Sequence, residues 1–287
     1  MDVSIIIPSF NTKNLLDRCL QSIEKSLKRS NLKFEIIVVD NASKDGTREL
    51  LNNKYPRVKT IFNNTNIGYG KANNLAILKS LGKYVLLLNS DIIVLDTAIE
   101  KMVTFMHDHH HSFIGGKLLN ENMTNQASCG PEYTLPVTFL MLFCKGDALG
   151  ITRTSPEDVS SPYWVSGACL MGKKQSFVDV GLFDESIFMY MDEIDFLYRA
   201  HKKNYSVFFV PDARFIHTGA ASSSSARTPV KNIYSGLMYY YKKYKPQWEV
   251  TVLSFLLRIK AGIAIIIGKI FGKPDIVQIY EESLTLV

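Results

Sequence analysis

The chain of 287 residues is 46% hydrophobic and 21% charged, which leaves room for one large α/β domain or two small ones with ample core. Four scattered cysteines, Cys19, Cys129, Cys144 and Cys169, show no C-x-x-C or metal-ligand spacing, which excludes a cysteine metal site and reads as free thiols of a reducing compartment. A formal charge of +6 suits an anionic partner, but the basic residues are spread over the whole chain rather than gathered in one stretch, so a membrane surface or a phosphorylated substrate fits better than nucleic acid.

Val3-Ser4-Ile5-Ile6-Ile7 is β-branched and stops at Pro8-Ser9-Phe10-Asn11, after which Leu15, Leu16, Cys19, Leu20, Ile23 and Leu27 recur at helical spacing. Pro8 closes the only apolar run near the amino terminus, so no secretory signal is expected and the expected location is the cytoplasm. Residues 35–39 repeat the strand pattern and end at Asp40-Asn41-Ala42-Ser43; a second helix opens near Thr47. A shorter strand over 58–62 precedes Asn66-Ile67-Gly68-Tyr69-Gly70-Lys71-Ala72-Asn73-Asn74 and a helix over about 70–81. Tyr84-Val85-Leu86-Leu87-Leu88 is too short for a helix and reads as a strand buried on both faces, ending on Asn89-Ser90-Asp91. This alternation predicts a parallel sheet with right-handed crossovers, whose ligand crevice lies at the carboxyl ends of the strands, where Pro8 to Asn11, Asp40 and Asp91 converge. Gly68-Tyr69-Gly70 lacks the third glycine of a dinucleotide fingerprint, with Asn73 in its place, so the glycines serve either close approach to a phosphate or ribose or a tight turn.

The histidine-rich residues 107–111 follow a helical stretch over 98–106 and read as a solvated helix end rather than a metal site. Residues 118–162 are polar and irregular around an apolar stretch at 135–144, an insertion expected to help form an acceptor pocket. Residues 163–171, with Trp164 and Gly167, read as one strand, and 174–180 as a helix. Asp192 is placed to cap a further helix and Asp195 to pair with Arg199 one turn on. Three carboxylates within four residues, Asp192, Glu193 and Asp195, raise at least one pKa, as a general base requires. Residues 207–210 and 214–217 read as two short strands, the second ending on His217 before a small, polar segment, 218–226, with the composition of a mobile lid.

As an ordered series over residues 3–226, these motifs resemble the inverting family 2 glycosyltransferases of the GT-A fold, and within them the rhamnosyltransferase-like branch. The resemblance implies an α/β fold, a Rossmann-like nucleotide-binding mixed sheet flanked by helices, with a glycosyltransferase domain over 1–226 and a helical region over 227–287. Pro8-Ser9-Phe10-Asn11 is similar to the family's nucleoside loop, Asp40 to the acid that contacts the nucleobase, and Asn66, Gly68 and Asn73 to the element near the nucleotide. Asn89-Ser90-Asp91 stands at the D-x-D position, with an amide in place of the first acid. Gly167-Ala168 stands in the small-residue segment before the acceptor region, with Trp164 and Asp195 serving the acceptor or the structure. Asp192-Glu193-Ile194-Asp195 stands at the base motif, where Glu193 is the expected base and Asp192 the reserve, and His217 at the histidine that joins the metal.

The implied chemistry is a single inverting displacement, in which a divalent cation (Mg2+ or Mn2+) held by Asp91, His217 and the diphosphate stabilises the leaving group while a carboxylate takes the proton of the acceptor hydroxyl. The implied donor is a nucleoside-diphosphate sugar, dTDP-rhamnose ahead of a UDP-sugar, and the implied acceptor a glycan or polyprenyl-linked glycan of the cell surface. The alternatives are a nucleotidyltransferase, for which no glycine- and lysine-rich triphosphate loop is found, and an inactive nucleotide-sugar-binding subunit, for which Asn89 and Glu193 speak.

After the Tyr/Lys-rich residues 239–245, an apolar segment runs over 250–271; its longest run free of charged and polar side chains, 261–268, falls well short of the roughly 20 residues that span a bilayer. On a helical wheel Thr251, Ser254, Arg258, Gly262, Lys269 and Lys273 share one side, with Leu253, Leu256, Ile263, Ala264, Ile267 and Phe271 opposite. This is the pattern of a helix lying on a membrane, here expected at the inner face of the cell membrane; the alternative is packing on its own domain or on a dimer partner.

Overall fold

The computed structural model describes residues 1–219 and 227–287. The amino-terminal third alternates as the sequence predicts: β1 (Val3–Ser9), α1 (Lys13–Leu27), β2 (Phe34–Asp40), α2 (Thr47–Lys54), β3 (Lys59–Phe62), α3 (Tyr69–Lys79), β4 (Tyr84–Leu88), then a short β5 (Ile92–Val94). β1 runs parallel to β2 and to β4, and β2 parallel to β3. Next come α4 (Ala98–Asp108), β6 (Ser112–Leu119), β7 (Asn125–Gln126), β8 (Cys129–Gly130), α5 (Leu135–Phe143), β9 (Trp164–Val165), β10 (Cys169–Lys173), α6 (Lys174–Val180), α7 (Asp192–Lys202) and β11 (Ser206–His217). β10 inserts antiparallel between β4 and β6. The sheet is therefore mixed, in the order β3-β2-β1-β4-β10-β6-β11-β5 with β7 beside β6, while β8 and β9 form a separate ribbon. Three helices end the chain: α8 (Arg227–Tyr244), α9 (Gln247–Ile270) and α10 (Pro274–Leu284).

Strand alternation divides the interior in two. Ile5, Ile7, Val38, Leu86 and Leu88 meet Leu16, Leu20 and Ile23 of α1 and Ile99, Met102 and Met106 of α4. Ile6, Val39, Val85 and Leu87 face the other way, with Ala72 and Ile77 of α3, Phe177, Phe196, and Leu237, Tyr240, Leu253 and Leu257 of the carboxyl-terminal helices. The terminal helices thus complete the core of the sheet.

Four expectations change. Residues 163–171 are two strands, because the backbone turns at 166–168, where the Asn89 N–H donates to the Ala168 carbonyl (3.1 Å). Residues 207–217 are one strand, β11, whose register against β6 shifts between Val210 and Arg214, around Pro211; proline lacks the ladder donor, and a bulge accommodates it. The cap of α7 is Met191, at φ 66°, without a side-chain cap bond, and Asp192 is the first helical residue. The exposed apolar side of α9 is wider than the wheel's: Ile263, Ile267 and Phe271 face outward as expected, and so do Trp248, Val252, Phe255, Ile259, Ile266 and Ile270, while Leu253 is buried with Val250, Leu257 and Ala261. By length and composition alone α9 is long and apolar enough to cross a membrane, although part of it is buried in the protein.

Candidate active site

β1, β2 and β4 run side by side, so their carboxyl ends deliver three loops to one edge of the sheet. Ser9 pairs in register with Asp40. The Ser9 hydroxyl lies 3.0 Å from Thr12 Oγ1, which lies 2.8 Å from Ser90 Oγ, a hydroxyl chain from the first loop to the third. Asn11, at φ 53°, takes the Ser43 Oγ on its N–H (2.9 Å) and accepts the Lys44 N–H on Oδ1 (2.8 Å), while Asp40 Oδ1 accepts the Ser43 N–H (3.3 Å). The loops are preorganised by one another. Pro8 and Phe10 are half-buried, Asp40 is buried, and Asn11 is exposed at the rim.

The third loop turns back into β5, and β5 pairs with the end of β11, which brings His217 over Asp91. His217 Nε2 stands 3.5 Å from Asp91 Oδ1, and the Asn89 amide donates to Nε2 (3.3 Å). His217 Nδ1 donates to Gln126 Oε1 (2.7 Å), and Gln126 Nε2 donates to the His217 carbonyl (3.1 Å), so one glutamine grips ring and backbone and fixes the tautomer with its lone pair on Nε2. Asp91 Oδ2 accepts the Gly219 N–H (3.0 Å). The lid expected over 218–226 falls from residue 220 outside the described residues.

The acidic helix reaches the same space through Gly167. The Tyr69 hydroxyl donates to the Gly167 carbonyl (2.6 Å), and a β-carbon at Gly167 would lie 3.2 Å from that hydroxyl and 3.5 Å from Glu193 Cβ. Ala168, next in the chain, holds Asn89. Residues 166–168 therefore join the Asn89-Ser90-Asp91 loop to the start of α7. Asp192 is buried, and its Oδ2 has no partner among the described residues. Burial first, then the Glu193 charge, push its carboxyl well above the usual range. Glu193 is half-buried. Burial, and the charges of Asp192 and Glu193, also raise the Tyr69 phenol and keep it a donor.

Other candidates serve the fold. Asp195 is fully buried, and accepts from Arg199 Nε (2.8 Å), Lys243 Nζ (2.8 Å) and the Tyr244 hydroxyl (2.7 Å). Trp164 is buried, and its Nε1 donates to the Pro131 carbonyl (2.9 Å). Asn73 is fully buried and donates to the Tyr69 carbonyl within α3 (3.1 Å), while its Oδ1 has no partner among the described residues. Asn66 Oδ1 accepts the Gly68 N–H (3.1 Å), and Gly68, at φ 84°, passes close to the backbone at 188: a β-carbon would sit 2.4 Å from the Phe188 carbonyl oxygen. His109 and His110 donate from Nδ1 to the Phe105 and Met106 carbonyls at the end of α4 (3.0 Å each). Among the described residues no group of three His, Cys, Asp or Glu side chains could hold a metal. Gln126, Tyr69 and Thr12 went unnoticed in the sequence, since single residues of these types carry no pattern.

Residues 4–134 match the family model described as Glycosyl transferase family 2. The chain is 29% identical over 211 residues to a low-salt glycan biosynthesis hexosyltransferase of Haloferax volcanii, covering 72% of this chain and 64% of that protein. It is 25% identical over 239 residues to an N-acetylglucosaminyl-diphospho-decaprenol L-rhamnosyltransferase of Mycobacterium tuberculosis, covering 76% of each. Among solved structures it resembles GalNAc-T7 with UDP, GalNAc and Mn2+, with a TM-score of 0.59 at 17% identity over 84% of this chain and 50% of that one. The mixed sheet flanked by helices, its strand-end loops and these likenesses agree: the fold is GT-A, and over residues 4–134 the chain matches glycosyltransferase family 2.

Proposed function

We propose that this protein moves a sugar, with inversion, from a nucleoside-diphosphate donor to a hydroxyl of a cell-surface glycan or its polyprenyl-linked precursor. The observation that supports this reading is the bridge at 166–168, whose Ala168 carbonyl takes the Asn89 N–H, two residues before Asp91, and whose Gly167 lies against Glu193. Glu193 accepts the proton of the attacking hydroxyl. Asp192, closed off from solvent, keeps its proton and shapes the start of the helix. Gly167 packs closely on Tyr69 and Glu193, and a larger residue at 167 would crowd both.

Asp91 and His217 fit a divalent cation, Mg2+ or Mn2+: the histidine lone pair lies on Nε2, facing the carboxylate, because Gln126 takes the Nδ1 proton. The Asn89 amide is the group such an ion displaces from Nε2. When bound, the ion offsets the charge that develops on the departing diphosphate. The donor favoured is dTDP-rhamnose, supported by the name of the mycobacterial relative; a UDP-sugar comes second, supported by the UDP of GalNAc-T7. The exposed apolar side of α9, with Arg258, Lys260, Lys269 and Lys273 nearby, supports a seat on the inner face of the cell membrane.

A thermal-shift panel of nucleoside diphosphates and sugar nucleotides, with and without Mg2+ or Mn2+, tests the reading. We expect metal-dependent stabilisation by one base and sugar, and transfer abolished in Asp91→Ala with the nucleotide-free melting temperature near wild type. Turnover indifferent to EDTA would remove the metal, and a panel without any response would remove the donor site.

A further inference from the structure

A cavity of about 400 Å3 opens where β11 shifts register against β6, and none of its lining residues belongs to the loops that follow β1, β2 and β4. That volume is within the range of small-ligand sites. Its polar lining is Lys101, Lys117, Asn125, Glu157, Asp212 and Arg214. Lys117 and Arg214 are register partners on neighbouring strands, an arrangement of like charges that costs stability unless an anion sits between them. The Lys117 side chain is only 7% exposed, and its ammonium makes one ion pair, with Glu157 Oε2 at 2.6 Å, from a carboxylate that is itself 74% exposed. An ammonium has three N–H donors, and one buried on a single solvated partner is under-served. Lys101 Nζ donates to the Asp212 carbonyl (3.0 Å) and Arg214 reaches Asp96 (3.0 Å), which sets both at the mouth.

The cavity also connects with the catalytic side. Asn125 and Gln126 are consecutive on β7 and serve opposite sides of it: Asn125 Nδ2 holds Glu157 Oε1 (2.9 Å), while Gln126 grips His217. We propose that this cavity is an anion site distinct from the donor crevice, which takes the phosphate or carboxylate group of an acidic glycan. In this chain that glycan would be the acceptor or its growing end, and in this one respect the inference rests on the proposed function.

The test uses the full chain in EDTA, with inorganic phosphate and glucuronate titrated at constant ionic strength against chloride. We expect one-site binding by calorimetry and a rise in Tm of about 2 °C or more at saturation. The Lys101→Gln/Arg214→Gln double variant should keep its anion-free Tm and bind at least about tenfold more weakly, having lost two charged donors. Lys117→Met should abolish binding; if it fails to fold, the double variant decides alone. Response to phosphate only, or to glucuronate only, supports the site and names the group. No stabilisation beyond chloride, or an unchanged Kd in the double variant, overturns it. Because no step of this test involves transfer, its failure and that of the glycosyltransfer reading are separate results.

Discussion

Asp192 and Glu193 are adjacent in the chain yet chemically unlike, because one carboxyl is enclosed and the other is half-open. For Asp192 the folded pKa lies above the unfolded one, so the folded state holds the extra proton and stability falls as pH rises from about 4 towards the folded pKa. Asp192→Asn should therefore raise Tm at pH 8, a gain that disappears at pH 4, as thermal unfolding across that range would show. Glu193→Gln keeps shape without basicity: transfer should fall by roughly 10²- to 10⁴-fold with donor affinity held, by steady-state kinetics and nucleotide titration. If instead Asp192→Asn is dead and Glu193→Gln active, the roles exchange. Gln126 acts one contact further out. Gln126→Leu frees the His217 ring, and Mn2+ affinity with nucleotide bound should weaken about 10- to 100-fold by EPR titration.

At the scale of elements, α7 is held from behind by α8: Lys243 binds Asp184 and Asp195, Tyr239 binds Asp184, and Tyr244 binds Asp195. Burial works against Asp184, but Lys243, the Ser186 N–H and Tyr239 hold it below the ordinary carboxylate range, and burial is likewise outweighed at Lys243, whose two acids raise it. The sign follows: the depressed acid contributes fully above its unfolded pKa, near 4, and the raised lysine below its own, near 10.4, so the latch is whole between those limits and is lost as pH falls through the folded pKa of Asp184 or rises through that of Lys243. Lys243→Met leaves Asp195 buried with one cation fewer, and should cost about 2 kcal/mol or more, read as a lower Tm and urea midpoint. What the sequence discloses follows from periodicity. β4 and α6 fall on the residues expected, because an unbroken apolar run and a clean helical turn need no partner to be recognised. β6 is hidden by Gly115 and Gly116, which are small because Val165 and Phe215 press on them. The Asp91–His217 pair is legible from strand ends, whereas Gln126 reaches it through a two-residue strand, and no spacing announces such a contact.

Across the whole molecule, the carboxyl-terminal helices bury one side of α9 in the common core and leave the other apolar. Leaving apolar area in water costs about 25 cal/mol per Å², and a basic residue near an anionic bilayer gains about 1 kcal/mol. Phe255 and Ile266 are 63% and 59% exposed, so Phe255→Glu with Ile266→Glu should fold normally, lose sedimentation with anionic liposomes at low salt, and keep activity on a soluble acceptor. Wild type that ignores liposomes would redirect that surface to another protein. The pairing of His217 with the β4 loop, 128 positions from Asn89, bears on kinetics as well. Contacts so distant in sequence close late in folding, after local strand–helix units have formed. A chain in which β11 has not yet docked would therefore hold the first loops without the histidine, and so without a complete site. Nucleotide and metal added to a refolding chain should leave the early phases unchanged and slow global unfolding, which makes the bound donor a kinetic lock on the finished protein.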